Sequence, residues 1–147
     1  MKAKSTLLAN ICAGLVALPA FAFDDQKIIE KCDEDWGTDF EMVAYCREEQ
    51  RKSGASWDRI VERAASGSEA AAIVKHCLEQ WETDYEMLVY CNGEQHAALV
   101  ALAQAPDGVP GETADVIMQK CVGDWGVDFE MVLYCRDEQV KAWRGLQ

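Results

Sequence analysis

What the chain lacks narrows its reading first. Basic residues are scarce: Lys and Arg total 14 against 26 Asp and Glu, a formal net charge of −12. A surface of that sign repels phosphate backbones and anionic membrane faces, which argues against nucleic acid as a partner and leaves room for a cationic one. The same charge also serves plain solubility. Histidine is nearly absent, with only His76 and His96 present. None of the seven cysteines is spaced as Cys-x-x-Cys, so the usual helix-start redox pair is missing, and no two lie two to four apart as zinc ligands normally do. No nucleophile–base pair, phosphate-binding loop or metal motif stands out, and no segment alternates like a strand. The expectation is a non-enzyme with no catalytic residue, cofactor or metal.

The longest apolar run lies at the start. Lys2 and Lys4 precede an apolar stretch from Leu7 to Leu18, and Ala20-Phe21-Ala22 follows as a small-x-small site. The run is too short to span a bilayer comfortably and has no second one behind it. Residues 1–22 read as a secretory signal peptide cut after Ala22, so the expectation is a periplasmic or secreted protein with no transmembrane segment in its mature chain. Cys12 falls inside this leader, after Ile11 and before more apolar chain, which argues against a lipid-anchored cysteine.

What is present is one phrase spoken three times. Cys32, Trp36, Asp39, Phe40, Glu41, Met42, Tyr45, Cys46 and Gln50 return as Cys77, Trp81, Asp84, Tyr85, Glu86, Met87, Tyr90, Cys91 and Gln95. They return again as Cys121, Trp125, Asp128, Phe129, Glu130, Met131, Tyr134, Cys135 and Gln139. The first cysteines lie 45 and then 44 residues apart, a period that marks a repeat architecture. The repeats divide the chain as 23–67, 68–111 and 112–147, forming one structural domain. Without Cys12 six cysteines remain in an exported chain, which predicts disulfides. Each copy holds its own pair, so the pairing is Cys32–Cys46, Cys77–Cys91 and Cys121–Cys135.

Within a copy, Ile28, Ile29, Cys32 and Trp36 recur at helical spacing. Gly37 ends that helix, and Thr38-Asp39-Phe40-Glu41 reads as a capping box with the Thr hydroxyl as cap. Asp39 adds negative charge to the first turn. Phe40, Met42, Val43, Tyr45, Cys46 and Gln50 then share one arc of a second helix, with Glu41, Ala44 and Glu48 opposite. In the second copy Glu82 replaces Gly37. In the third, Val127 replaces Thr38, so Asp128 takes over as cap. Beyond Cys46, Ser53-Gly54 predicts a kinked or broken helix before Trp57. Beyond Cys91 the helix continues about three turns to Pro106, and later first helices begin near Ser68 and Thr113. The fold is therefore expected to be all-α, three disulfide-stapled helical hairpins in tandem, stacked as a short solenoid or bundle.

Most recurrent residues have a structural duty. Trp36, Trp81 and Trp125 sit at the hairpin turns as plugs over the disulfides, or, if exposed, as a row of ligand-stacking rings. Met42, Met87 and Met131 supply one thioether per copy on an apolar arc, which favours packing over copper binding. His76 and His96 stand outside the motif. Gln50, Gln95 and Gln139 are less ordinary, because an amide in an apolar arc must find partners. They bond to a helix terminus or neighbouring repeat, or they present amides in a groove for an extended peptide or sugar. Tyr45, Tyr90 and Tyr134 lie at the edge of the arc, hydroxyls toward water.

The motif Cys-x3-Trp-x2-Asp-Phe/Tyr-Glu-Met-x2-Tyr-Cys-x3-Gln resembles that of small exported proteins of Gram-negative bacteria. It covers Ile28–Gln50, Ile73–Gln95 and Ile117–Gln139. The resemblance implies secretion and short stapled hairpins, and it implies no activity. A looser similarity links it to twin-cysteine hairpins of the mitochondrial intermembrane space, which use two cysteine pairs and shorter spacing. The leading functional expectation is an interaction module binding a protein, peptide or envelope polymer, since repeats build extended surfaces. Two others stand beside it: a thiol–disulfide or metal-handling protein, and an acidic inhibitor or sequestering protein for a cationic partner.

Overall fold

The computed structural model describes residues 23–147, and the expected leader, with Cys12 and the expected cleavage site at Ala22, lies outside the described residues. Six helices and no strands occupy the described chain: α1 Asp25–Trp36, α2 Phe40–Arg63, α3 Glu69–Trp81, α4 Tyr85–Leu102, α5 Gly111–Trp125 and α6 Phe129–Gly145. Each odd-numbered helix turns sharply into the next, and one disulfide staples each hairpin. Cys32–Cys46, Cys77–Cys91 and Cys121–Cys135 have Cα atoms 5.8, 5.8 and 5.6 Å apart. That separation is where disulfides are ordinarily found, so the short turn absorbs the offset between the two helix positions.

The second helices form the spine. α2 packs on α4 and α4 packs on α6, while α1, α3 and α5 each dock on the second helix of their own repeat. The buried positions follow the repeat: Ile28, Ile73 and Ile117 from the first helices, Val43, Leu88 and Val132 from the second. One core joins repeats one and two around Ile28, Trp57, Ile73, Tyr85 and Leu88. A smaller core around Ile117, Cys121, Val132 and Val140 closes the third repeat, with Leu102 packed against it. Arg136 fastens the end of α4 from α6: its Nη1 donates to the carbonyls of Ala101 and Gln104 at 3.0 and 3.2 Å, a cation placed where the helix dipole favours one.

Two local expectations are corrected. First, α2 is one unbroken helix of 24 residues through Ser53-Gly54. Gly54 is buried, and a Cβ there would lie 2.6 Å from Phe23 Cγ. The glycine makes room for a neighbouring ring and does not end the helix. Second, Thr38 does not cap. Asp39, Asp84 and Asp128 are the N-caps, accepting from the amides of Met42, Met87 and Met131 at 3.2, 3.3 and 3.2 Å. The carboxylate supplies charge as well as an acceptor at the helix start, so α2 and α4 begin one residue later than a Thr cap would place them, while Asp128 caps α6 as expected. Gly37 ends α1 as expected, and the residue that ends each first helix has φ 54° in Gly37, 59° in Gly126 and 47° in Glu82. With ψ values of −109°, −114° and −90°, this is a glycine conformation, and Glu82 adopts it under strain.

Candidate functional site

The recurrent glutamines join one repeat to the next. Gln50 is 2% exposed. Its Oε1 accepts from the amide of Tyr85 at 2.8 Å, while its Nε2 donates to Asp84 Oδ1 at 2.8 Å and Glu86 Oε2 at 3.2 Å. Gln95, also 2% exposed, repeats the geometry one step along. Oε1 accepts from Phe129 N at 2.6 Å, and Nε2 donates to Asp128 Oδ1 at 3.0 Å and Glu130 Oε2 at 3.3 Å. One amide therefore satisfies a free N–H at the start of the neighbouring helix and bridges the cap carboxylate to the glutamate two residues on. These two glutamines meet the neighbouring repeat and do not open into a groove. Among the described residues Gln139 is followed by no further repeat, is half-buried, and makes no side-chain hydrogen bond.

A basic residue stands behind each joint, and the sequence signal for it is simple in hindsight. The residue preceding the first cysteine is Lys31, His76 or Lys120, at the same spacing as the motif itself. Lys31 Nζ lies 3.3 Å from Asp84 Oδ2. Burial alone pushes its ammonium down, but the carboxylates of Asp35 and Asp84 outweigh burial and hold it above its ordinary range. His76 Nε2 is 3.9 Å from Asp128 Oδ2 and also near the amides of Gln80 and Gln95. In the neutral tautomer that nitrogen is their acceptor. Glu130 carries a raised pKa, first from burial and then from the negative charges of Glu94 and Asp128, with His76 and Gln95 pulling the other way. Lys120 occupies the corresponding place in the last repeat and contacts only Asp124 of its own helix among the described residues.

The aromatic residues are on the outside. Trp36, Trp81 and Trp125 are 43, 38 and 44% exposed, so they are not buried plugs. Tyr45, Tyr90 and Tyr134 are 59, 60 and 62% exposed. Their near-equality across copies shows that the spine repeats its outer surface faithfully. The second helix also departs from the wheel at Phe40, which is 79% exposed where its counterpart Tyr85 is 6% exposed. Tyr85 is covered by the preceding repeat and by Phe23, whose ring meets it edge-on at 6.0 Å, whereas among the described residues no repeat precedes Phe40.

The described surface carries shallow concavities. One of about 480 Å³, bordered by Lys31, Asp35, Trp81 and Asp84, is polar. One of about 580 Å³ among Leu99, Leu102, Met118, Val122 and Phe129 is largely apolar. The six motif cysteines are all engaged in disulfides, and five of them are buried. Among the described residues no three His, Cys, Asp or Glu side chains converge as a metal-ligand set, and no helix is long and apolar enough to cross a membrane. Compared with known protein families, with curated proteins and with solved structures, the chain matches none.

Proposed function

We propose that this is a non-enzymatic interaction module, a stapled helical array that holds aromatic side chains at fixed spacing for a protein, peptide or envelope polymer. The observation carrying the reading is the pair of exposed aromatic rows, Trp36/Trp81/Trp125 and Tyr45/Tyr90/Tyr134, with nearly equal exposure in every copy. Large amphipathic rings with little rotamer entropy are the side chains most enriched at binding hot spots. Burial of the disulfides favours this over the thiol–disulfide reading, because exchange needs an accessible sulfur.

Three disulfides suit an oxidising compartment, periplasmic or extracellular. Export with cleavage after Ala22 is part of the same proposal and agrees with the resemblance to small exported Gram-negative proteins. Phe23 supports the cut: its backbone nitrogen lies 3.2 Å from Asp58 Oδ2, so cleavage there sets the new α-ammonium against a carboxylate. The mass of the exported protein tests that position.

The binding reading is tested by a triple variant, Tyr45→Ser with Tyr90→Ser and Tyr134→Ser, used beside the unaltered protein to capture from envelope extract and from isolated cell-wall polymer. The variant is expected to keep its circular dichroism and lose the bound species. If both proteins capture the same species equally, the tyrosine row is not the surface. The net charge of −12 favours a second reading, capture of a cationic protein. That binding would weaken steeply with salt, whereas aromatic recognition would not.

A further inference from the structure

The joint used twice inside the chain leaves one unmatched half at each end of the described residues. At the leading end, Asp39, Phe40 and Glu41 correspond to Asp84-Tyr85-Glu86 and Asp128-Phe129-Glu130, the residues that receive the preceding repeat's glutamine. Among the described residues Asp39 accepts only from its own helix, at Met42, and Phe40 stands 79% exposed. At the trailing end, Gln139 and Lys120 correspond to Gln50 with Lys31 and Gln95 with His76, the donating halves. Lys120 is 52% exposed against 27% and 13% for its counterparts. Each end holds what the other end lacks.

We propose that the protein assembles head to tail with copies of itself. The Asp39–Phe40–Glu41 end of one copy seats on the Gln139–Lys120 end of the next, through the joint already used between its own repeats. Gln139 Oε1 then accepts from Phe40 N, its Nε2 donates to Asp39 and Glu41, Lys120 pairs with Asp39, and Phe40 is covered as Tyr85 is. The contact is heterologous, since different surfaces of the two copies meet, so it continues into an open array unless the rotation per copy happens to close a ring. It would lengthen the aromatic rows while standing independently of what those rows bind. Two copies of strongly negative charge repel at long range, so the joint forms at physiological ionic strength and weakens at low salt.

Two single variants block the ends separately without touching any internal joint. Phe40→Glu blocks the head, at a helix start where a negative charge is tolerated, and Gln139→Glu sets a carboxylate against Asp39 and Glu41. The experiment is sedimentation velocity on the full protein with all disulfides intact, over a rising concentration series at physiological salt. The unaltered protein is expected to form species beyond the dimer. Each variant alone is expected to be monomeric, with association weakened roughly tenfold or more. An equimolar mixture is expected to stop at a dimer, because one open head remains for one open tail. A monomer at every concentration up to the solubility limit overturns the proposal. So does an oligomer that both variants leave unchanged, or a mixture that does not dimerise. Retained circular dichroism and retained thermal stability in both variants separate loss of the joint from loss of the fold.

Discussion

Replacing Gln95 by leucine isolates what one amide contributes to holding two repeats together. The substitution keeps the volume and the apolar stem, and removes three hydrogen bonds at once: from Phe129 N at 2.6 Å, to Asp128 at 3.0 Å and to Glu130 at 3.3 Å. A backbone N–H left buried without a partner costs about 1–3 kcal/mol, and a hydrogen bond to a charged group contributes about 1.5–3 kcal/mol. Asp128 and Glu130 are partly open to water and recover some solvation, so the full sum is not lost. The expected cost is about 2–4 kcal/mol, a large share of the roughly 5–15 kcal/mol that separates folded from unfolded domains. Urea unfolding of the oxidised protein at low concentration, followed by circular dichroism, reads this directly. Gln139→Leu is the internal control, because the same residue in the same motif has no partner among the described residues, and its expected cost is within about 0.5 kcal/mol. Gln95→Glu sharpens the case: it keeps the shape, replaces two donors by a carboxylate facing two others, and is expected to be worse than leucine at neutral pH. Equal costs for Gln95→Leu and Gln139→Leu would refute the joint as a source of stability.

The remaining expectations concern the turns, one close approach and one carboxylate. Glu82→Gly relieves a φ of 47° and is expected to raise stability by about 1 kcal/mol, the strain removed less the added chain entropy of glycine; a lower melting temperature would contradict the strained turn. Gly54→Ala is expected to destabilise by about 1 kcal/mol even though alanine favours helix, because its Cβ meets the Phe23 ring, whereas Gly93→Ala has open space and is expected to stabilise by about as much; thermal melts of the two variants settle the contrast. For Glu130 the folded pKa is raised, so the folded state binds the proton more readily than the unfolded state does. Its penalty is present at neutral pH, is relieved as pH falls through the raised value, and is fully gone below the unfolded value. Glu130→Gln is therefore expected to raise the midpoint of urea unfolding at neutral pH, with the advantage over the unaltered protein vanishing under acid conditions; an advantage that persists in acid would mean the effect is not electrostatic.

How far each feature was legible depended on the range of the contacts behind it. Helix positions, the hairpin turn and the disulfide pairing were readable because they are local: periodicity fixes the apolar face, and cysteines fourteen residues apart on adjoining helices close on each other. The cap was misread between neighbouring residues, Thr38 and Asp39, since both types cap and only the backbone angles choose. Gly54 looked like a break because a glycine inside a helix signals weakness until a neighbouring ring is seen against it.

The sequence by itself determined the stapled hairpins and their threefold repetition, because short-range geometry leaves few alternatives once period, turn and cysteine spacing are set. Tertiary structure alone decided that Gln50 and Gln95 reach across 35 and 34 residues to the start of the next second helix. It decided too that Lys31 and His76 stand behind them, and that Phe40 is bare where Tyr85 is covered. The physical reason is that an amide in an apolar arc announces only that it needs partners. Which partners it finds depends on how whole repeats pack, and identical motifs acquire different surroundings according to whether another repeat lies beside them.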